Sequence, residues 1–188
     1  EGVRWSDGQP FTADDVVFTI DMLIKSAPAM AMSSAIKEWV KSATALDPLT
    51  VKFVLTKPGP RWARDVFATQ QNVRFVTLPK HIWKDVADPK TFEYLDLAKG
   101  WPIGTGPYRL TKTGADSMFF DRLDKWWAVD TKFVAEMPAV ERVVYVAAPA
   151  ESLANLYTNN DIDVGYFLEV GAFEAAKSRN PKLTSWSG

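Results

Sequence analysis

Two short patterns in the sequence have the residue types of acyl transfer. Ser34-Ala35-Ile36-Lys37 has S-x-x-K spacing and Lys112-Thr113-Gly114 is K-T-G. In a serine acylase these supply a nucleophilic hydroxyl and a lysine that helps activate it. The third element of that set, S-D-N, is missing between them, since Ser6-Asp7-Gly8 precedes both. Patterns this short recur by chance, so a serine acylase is only the remote alternative. Gly104-Thr105-Gly106 invites a phosphate-loop reading and fails it. Pro107 has no N–H to offer, the third glycine is absent and a strand follows instead of a helix. Asp14 and Asp15 are adjacent, about 100° apart on a helix, and suit a helix N-terminus better than a paired acid–base site. Asp161 and Asp163 lack the spacing of a metal loop. His81 has no Ser or Cys constellation around it in sequence and reads as structural. With no cysteine and one histidine there is neither a thiolate nor a histidine-rich zinc site. No catalytic residue, metal ligand or cofactor is assigned.

The composition narrows the classes further. The 188 residues are 47% hydrophobic and 24% charged, with a formal net charge of -1. That is a globular composition with no basic face for nucleic acid or an anionic membrane. The surplus is eight tryptophans. Trp5, Trp126 and Trp127 fall on strands or strand ends, and Trp39 and Trp83 on helical apolar faces, where core packing is the default. Trp62 follows the Gly59-Pro60 cap. Trp101 differs, because it sits in a Gly/Pro-rich loop at a predicted boundary, where ligand clefts form.

The elements that must position these residues follow from local chemistry. Ser6 to Pro10 is a turn, and Thr12 with Asp15 resembles a capping box before a helix over about 13–25. Ile36, Trp39, Val40 and Ala43 predict a second helical face. Asp47-Pro48 turns a hairpin between 44–46 and 50–55, and Gly59-Pro60 opens a helix to about Phe67. A strand over 73–78 and a short helix from Pro79 come next, and 88–100 suits one helical turn around Phe92 and Leu95. Trp101 to Tyr108 is irregular, and a hairpin with strands from Tyr108 and over 117–123 ends at Asp124-Lys125-Trp126-Trp127. Then strands over 143–146, 162–167 and 183–186 alternate with helices over 149–159 and 170–179, which predicts a parallel β-α-β-α-β unit.

Three segments taken in order carry a resemblance. Gly2 to Phe18, Ile103 to Tyr108 followed by Phe120-Asp121-Arg122 and Trp126-Trp127, and Asn160 to Val164 resemble the signature segments of the family 5 extracellular solute-binding proteins of ABC importers. The third segment is usually written with Gly-Glu before Ile-Asp, where this chain has Asn160-Asp161. The resemblance covers essentially the whole chain. It implies an α/β fold of the type II periplasmic-binding-protein kind, with a mixed α+β first part. Residues 1–102 would hold most of a smaller N-terminal subdomain and 103–188 part of the main N-terminal lobe. The chain would then be a fragment without the C-terminal lobe.

The resemblance further implies a receptor, not an enzyme, that closes two lobes on its ligand. It would act as a monomer in the periplasm or on the outer face of the cytoplasmic membrane and hand its ligand to ABC permease subunits. Residues 78–83 and 99–108 look closest to the oligosaccharide branch, with a peptide receptor as the alternative. Trp101, Trp39 and Met30 are the expected stacking or lining residues, and Thr105 the expected polar contact.

Overall fold

The computed structural model describes residues 1–68, 75–165 and 168–185. Its elements, in order, are α1 (Ala13–Ser26), α2 (Ser33–Trp39), β1 (Val40–Asp47), β2 (Thr50–Leu55), a π-helical turn (Arg64–Ala68), α3 (Lys80–Trp83) and a 3-10 turn (Leu97–Lys99). They continue with β3 (Tyr108–Thr113), β4 (Ser117–Arg122), α4 (Trp127–Asp130), β5 (Arg142–Val146), α5 (Ala150–Asn159) and α6 (Val170–Arg179). Contacts group Glu1–Lys112 with Phe119–Val143, and Thr113–Met118 with Val144–Gly188. That grouping runs through the β3–β4 hairpin and differs from a division at 102/103.

In the first unit, α1 begins where its capping chemistry predicts. The Thr12 N–H donates to Asp15 Oδ2 at 2.9 Å, closing one arm of the capping box at an otherwise orphaned donor. The apolar face of α1 then buries Ile20 and Leu23 against Ile36, Val40 and Trp62. Around this core pack Met30, Met32, Trp39, Phe53, Leu55 and Phe75. β1 and β2 pair antiparallel across the Asp47-Pro48 turn, with irregularities between Val40 and Ser42 and between Ala45 and Asp47. Asp47 Oδ1 accepts the Leu49 N–H at 2.8 Å, which tightens the turn and holds the Asp47 carboxyl below its ordinary value.

Several predicted elements come out differently. Val40 and Ala43 belong to β1, not to a second helical face, because their backbones pair with Leu55 and Phe53 of β2. The predicted strand over 73–78 is absent from its described part, 75–78. The Leu78 N–H instead donates to Thr19 Oγ1 (2.9 Å) and the Lys80 N–H to Asp15 Oδ1 (2.9 Å), so side chains of α1 take the role of a neighbouring strand. The predicted strands over 162–167 and 183–186 are likewise absent from 162–165 and 183–185, and the remaining positions lie outside the described residues. A strand exists only through its ladder, and no partner strand for these segments occurs among the described residues. Trp127 opens α4 instead of closing a strand.

The sheet order is β3-β4-β5. In the first unit, Asp121 accepts Arg142 Nε at 2.5 Å and Nη2 at 2.9 Å, and the Thr111 hydroxyl at 3.0 Å. The Arg142 guanidinium holds the Asp121 carboxyl below its ordinary value. A carboxylate lowered on folding contributes stability that is present above its unfolded value of about 4 and is lost as pH falls through the folded one. The gap in melting temperature between the wild type and Asp121→Asn should therefore be open at neutral pH and close as pH falls below the ordinary carboxylate range. Thermal melts across pH 2–7 check this, and a gap independent of pH would refute it.

In the second unit α5 and α6 pack together. Asn180 is buried and donates from Nδ2 to Tyr157 O (3.1 Å) and Asn160 Oδ1 (2.9 Å). Asn160 itself ends α5 in the left-handed region at φ 59°, a conformation that asparagine tolerates.

Candidate functional site

The strongest local construction in the first unit is the loop 103–107, assembled from four directions. Tyr94 lies in an aromatic cluster with Trp83 (5.3 Å between ring centroids), Phe92 (6.0 Å) and Trp101 (5.6 Å). Its hydroxyl oxygen accepts the Ile103 N–H at 3.1 Å. Burial pushes the Tyr94 phenol up, the Ile103 bond acts the other way and the negative charge of Asp7 adds to the rise. From the N-terminal turn, the Ser6 N–H donates to Gly104 O at 2.8 Å. From β4's end, the Leu123 N–H donates to Pro107 O at 2.8 Å. From α4, the indole N–H groups of both Trp126 (2.8 Å) and Trp127 (2.7 Å) donate to Thr105 O.

Beside the Ser6 turn, His81 Nε2 lies 2.8 Å from Asp7 Oδ2, with both side chains about a third exposed. No serine or threonine hydroxyl bonds to His81 among the described residues. The pair therefore ties α3 to the N-terminal turn and does not form part of a nucleophile triad. Ser34 and Lys37 are exposed on α2, and Lys112 Nζ lies 5.1 Å from the Phe119 ring centroid. No hydrogen bond joins Ser34 to either lysine among the described residues. Asp14 pairs with Lys80 at 3.1 Å, while its neighbour Asp15 is buried, so the two carboxylates face different partners. Among the described residues no cluster of three His, Cys, Asp or Glu could hold a metal ion.

The four expected ligand contacts fall into two pairs. Met30 and Trp39 both flank the Ile20–Ile36 core, half-buried. Lys57 Nζ sits 4.3 Å from a Trp39 ring, and a Cβ on Gly59 would lie 2.8 Å from Trp39 Cζ3, so the glycine is needed for the close approach. Trp101 and Thr105 lie on the other segment. Trp101 is half-buried, packed on Phe92 and Tyr94, with Lys99 Nζ 4.7 Å from its ring. No hydrogen bond or ring contact joins the two pairs among the described residues. A hollow of about 630 Å³ in the second unit is lined by Tyr157, Asp163, Leu168, Phe173, Lys182 and Thr184, and by none of the four.

Sequence reasoning placed Trp126 and Trp127 in the core by default and missed their convergence on one carbonyl. It also missed Asp15 and Thr19 as anchors of 78–80. The only local signal for either was an adjacent pair, Trp-Trp or Asp-Asp, whose partners lie 21 to 65 residues away.

Comparison with known proteins assigns the chain. Residues 1–185 match the family described as bacterial extracellular solute-binding proteins, family 5 Middle. The dipeptide-binding protein of Escherichia coli K12 is 28% identical over 170 residues, 81% of this chain and 29% of that protein. The peptidoglycan-binding protein YepA of Agrobacterium fabrum is 30% identical over 128 residues, 68% of this chain and 19% of that protein. Among solved structures, a Thermotoga maritima periplasmic oligopeptide-binding protein with bound mannohexaose superposes with a TM-score of 0.65 at 27% identity, covering 91% of this chain and 30% of its own. The chain thus spans about a fifth to a third of these relatives' length. The structures also support the fold, a type II periplasmic-binding-protein-like α/β arrangement. A Listeria monocytogenes substrate-binding protein, with a TM-score of 0.68 at 21% identity, agrees on fold alone.

Proposed function

We propose that this chain, which belongs to the family 5 bacterial extracellular solute-binding proteins, is part of the receptor of an ABC importer. That receptor would capture an oligosaccharide between two lobes and deliver it to the membrane permease. The family match over residues 1–185 carries the reading. In this proposal the receptor works outside the cytoplasmic membrane, as a monomer and without catalysis or cofactor. Among the described residues no helix is long and apolar enough to cross a membrane. Residues 1–102 would build most of the smaller N-terminal subdomain and 103–188 part of the main lobe.

The sugar preference draws support from the mannohexaose bound to the Thermotoga neighbour and from the chain's tryptophan content. Aromatic faces suit the C–H faces of sugars through apolar burial. A peptide ligand is the second reading, favoured by the dipeptide-binding relative. Trp101, Trp39 and Met30 are the proposed lining residues, and Thr105 the proposed polar contact.

Calorimetry on the full-length protein with cello- and xylo-oligosaccharides, against di- to pentapeptides, tests this. Sugar heats with no peptide heats are expected, and peptide heats alone would overturn the sugar preference. Trp101→Phe keeps an aromatic ring in the cluster but shrinks its face. It should weaken sugar binding about two- to tenfold if the indole stacks on the ligand.

A further inference from the structure

At Gly104 and Thr105 the carbonyls and the N–H groups are in opposite states. The carbonyls of Gly104, Thr105 and Pro107 all accept hydrogen bonds from within the first unit, and Thr105 O accepts two. The N–H groups of Gly104, Thr105 and Gly106, and the Thr105 hydroxyl, have no partner among the described residues. Pro107 has no N–H. At Gly104 and Thr105 the backbone groups left open are therefore donors.

The double indole contact does not follow from burial alone. Trp5, Trp62 and Trp83 are more deeply buried, yet their Nε1 atoms have no partner among the described residues. Trp126 and Trp127 are only half-buried, and both direct their N–H to the same oxygen. A carbonyl has two lone pairs, so two donors saturate Thr105 O and fix the peptide plane whose N–H belongs to Gly106.

We infer that Trp126 and Trp127 are positioning residues that hold Gly104–Gly106 as a preformed donor site for uncharged acceptor oxygens of the ligand. These oxygens are sugar hydroxyls or peptide carbonyls. The inference rests on the receptor reading above and adds the chemistry of one of its contacts. An anionic group fits the site less well. Asp7 directly follows Ser6, whose N–H donates to Gly104 O at 2.8 Å, and Lys99 is already paired with Asp96 at 3.2 Å while lying over Trp101. Fixing the donors beforehand lowers the ordering cost of binding, so the indoles act through Thr105 without touching ligand.

The test uses the full-length protein with cellopentaose and trialanine as probes, comparing the wild type with Trp126→Phe, Trp127→Phe and the double variant. Phenylalanine keeps an aromatic ring and removes only the N–H. Circular dichroism and thermal melts identify folded variants. The double variant should bind the accepted probe about tenfold more weakly, mostly through faster dissociation, and each single variant about threefold. In 15N-tryptophan spectra of the wild type, the two indole N–H signals that vanish in the variants should shift when the probe binds. A purely structural role would not produce that shift. The single variants decide if the double variant does not fold. Unchanged affinity in a folded variant, or indole signals that stay still while the probe binds, overturns the inference and leaves the receptor reading standing. Wild-type protein that binds neither probe overturns the receptor reading, and the inference with it. The probe that binds identifies the source of the acceptor oxygen.

Discussion

Asp15→Ala is expected to destabilise the chain by about 3 kcal/mol, on the scale of losing charged hydrogen bonds together with a helix-terminal carboxylate. Asp15 is 4% exposed and serves two backbone donors that have no other partner among the described residues. Its Oδ2 takes the Thr12 N–H at the start of α1, and its Oδ1 takes the Lys80 N–H at the start of α3. Alanine would leave both N–H groups desolvated and remove a negative charge from the positive end of α1. Asp15→Asn should recover only part of the loss. Its amide can accept one of the two bonds but turns its NH2 toward the other donor. Urea denaturation midpoints of the three proteins check the order wild type, Asn, Ala, and equal midpoints for Asp15→Ala and the wild type would refute the anchor.

Ile36→Ala is expected to cost a similar amount, about 2–5 kcal/mol, through lost transfer energy and a cavity. Ile36 has 0% exposure and packs with Ile20, Leu23, Val40 and Trp62, where α2 meets α1 and the first hairpin. The large aromatic neighbours leave little freedom to collapse into the space. Phe53 and Trp62 have ring centroids 5.1 Å apart, and Trp62 and Phe67 are edge to face at 5.5 Å. Ile36→Val, which removes one methylene, should cost about 0.5–1.5 kcal/mol. Denaturant melts of both variants test the gradient. A loss for alanine no larger than that for valine would mean that the site relaxes around the gap.

The same contrast between near and distant partners explains what was legible in the residues. The capping box at Thr12 and Asp15, the turn at Asp47-Pro48 and the hairpin joining β3 to β4 depend on bonds between residues a few positions apart. Spacing along the chain was enough to place them. α6 was found with its bounds, Val170–Arg179. Family membership was also legible, since three segments in order carry it.

The strand expected over 73–78 failed in its described part for the opposite reason. β-branched and aromatic residues state a preference for extended backbone, but whether a ladder forms depends on what lies alongside. Here the neighbours are the side chains of Asp15 and Thr19, 65 and 59 residues away along the chain. Val40 and Ala43 suited a helical face by spacing, yet β2 was available to pair with them and the sheet prevailed.

The candidate site divides the same way. Residue types marked Trp101 and Thr105 as belonging to an irregular loop. Only the folded chain packs Trp101 on Phe92 and Tyr94 beneath Lys99, and only the folded chain brings Trp126 and Trp127 to one carbonyl of Thr105. By itself the sequence determined the local turns and caps, the family and the absence of cysteine chemistry. The tertiary structure decided which hydrogen-bonding groups of the 103–107 loop are consumed and which stay open. That choice is a property of partners about 10 to 100 residues away, which spacing along a chain does not encode.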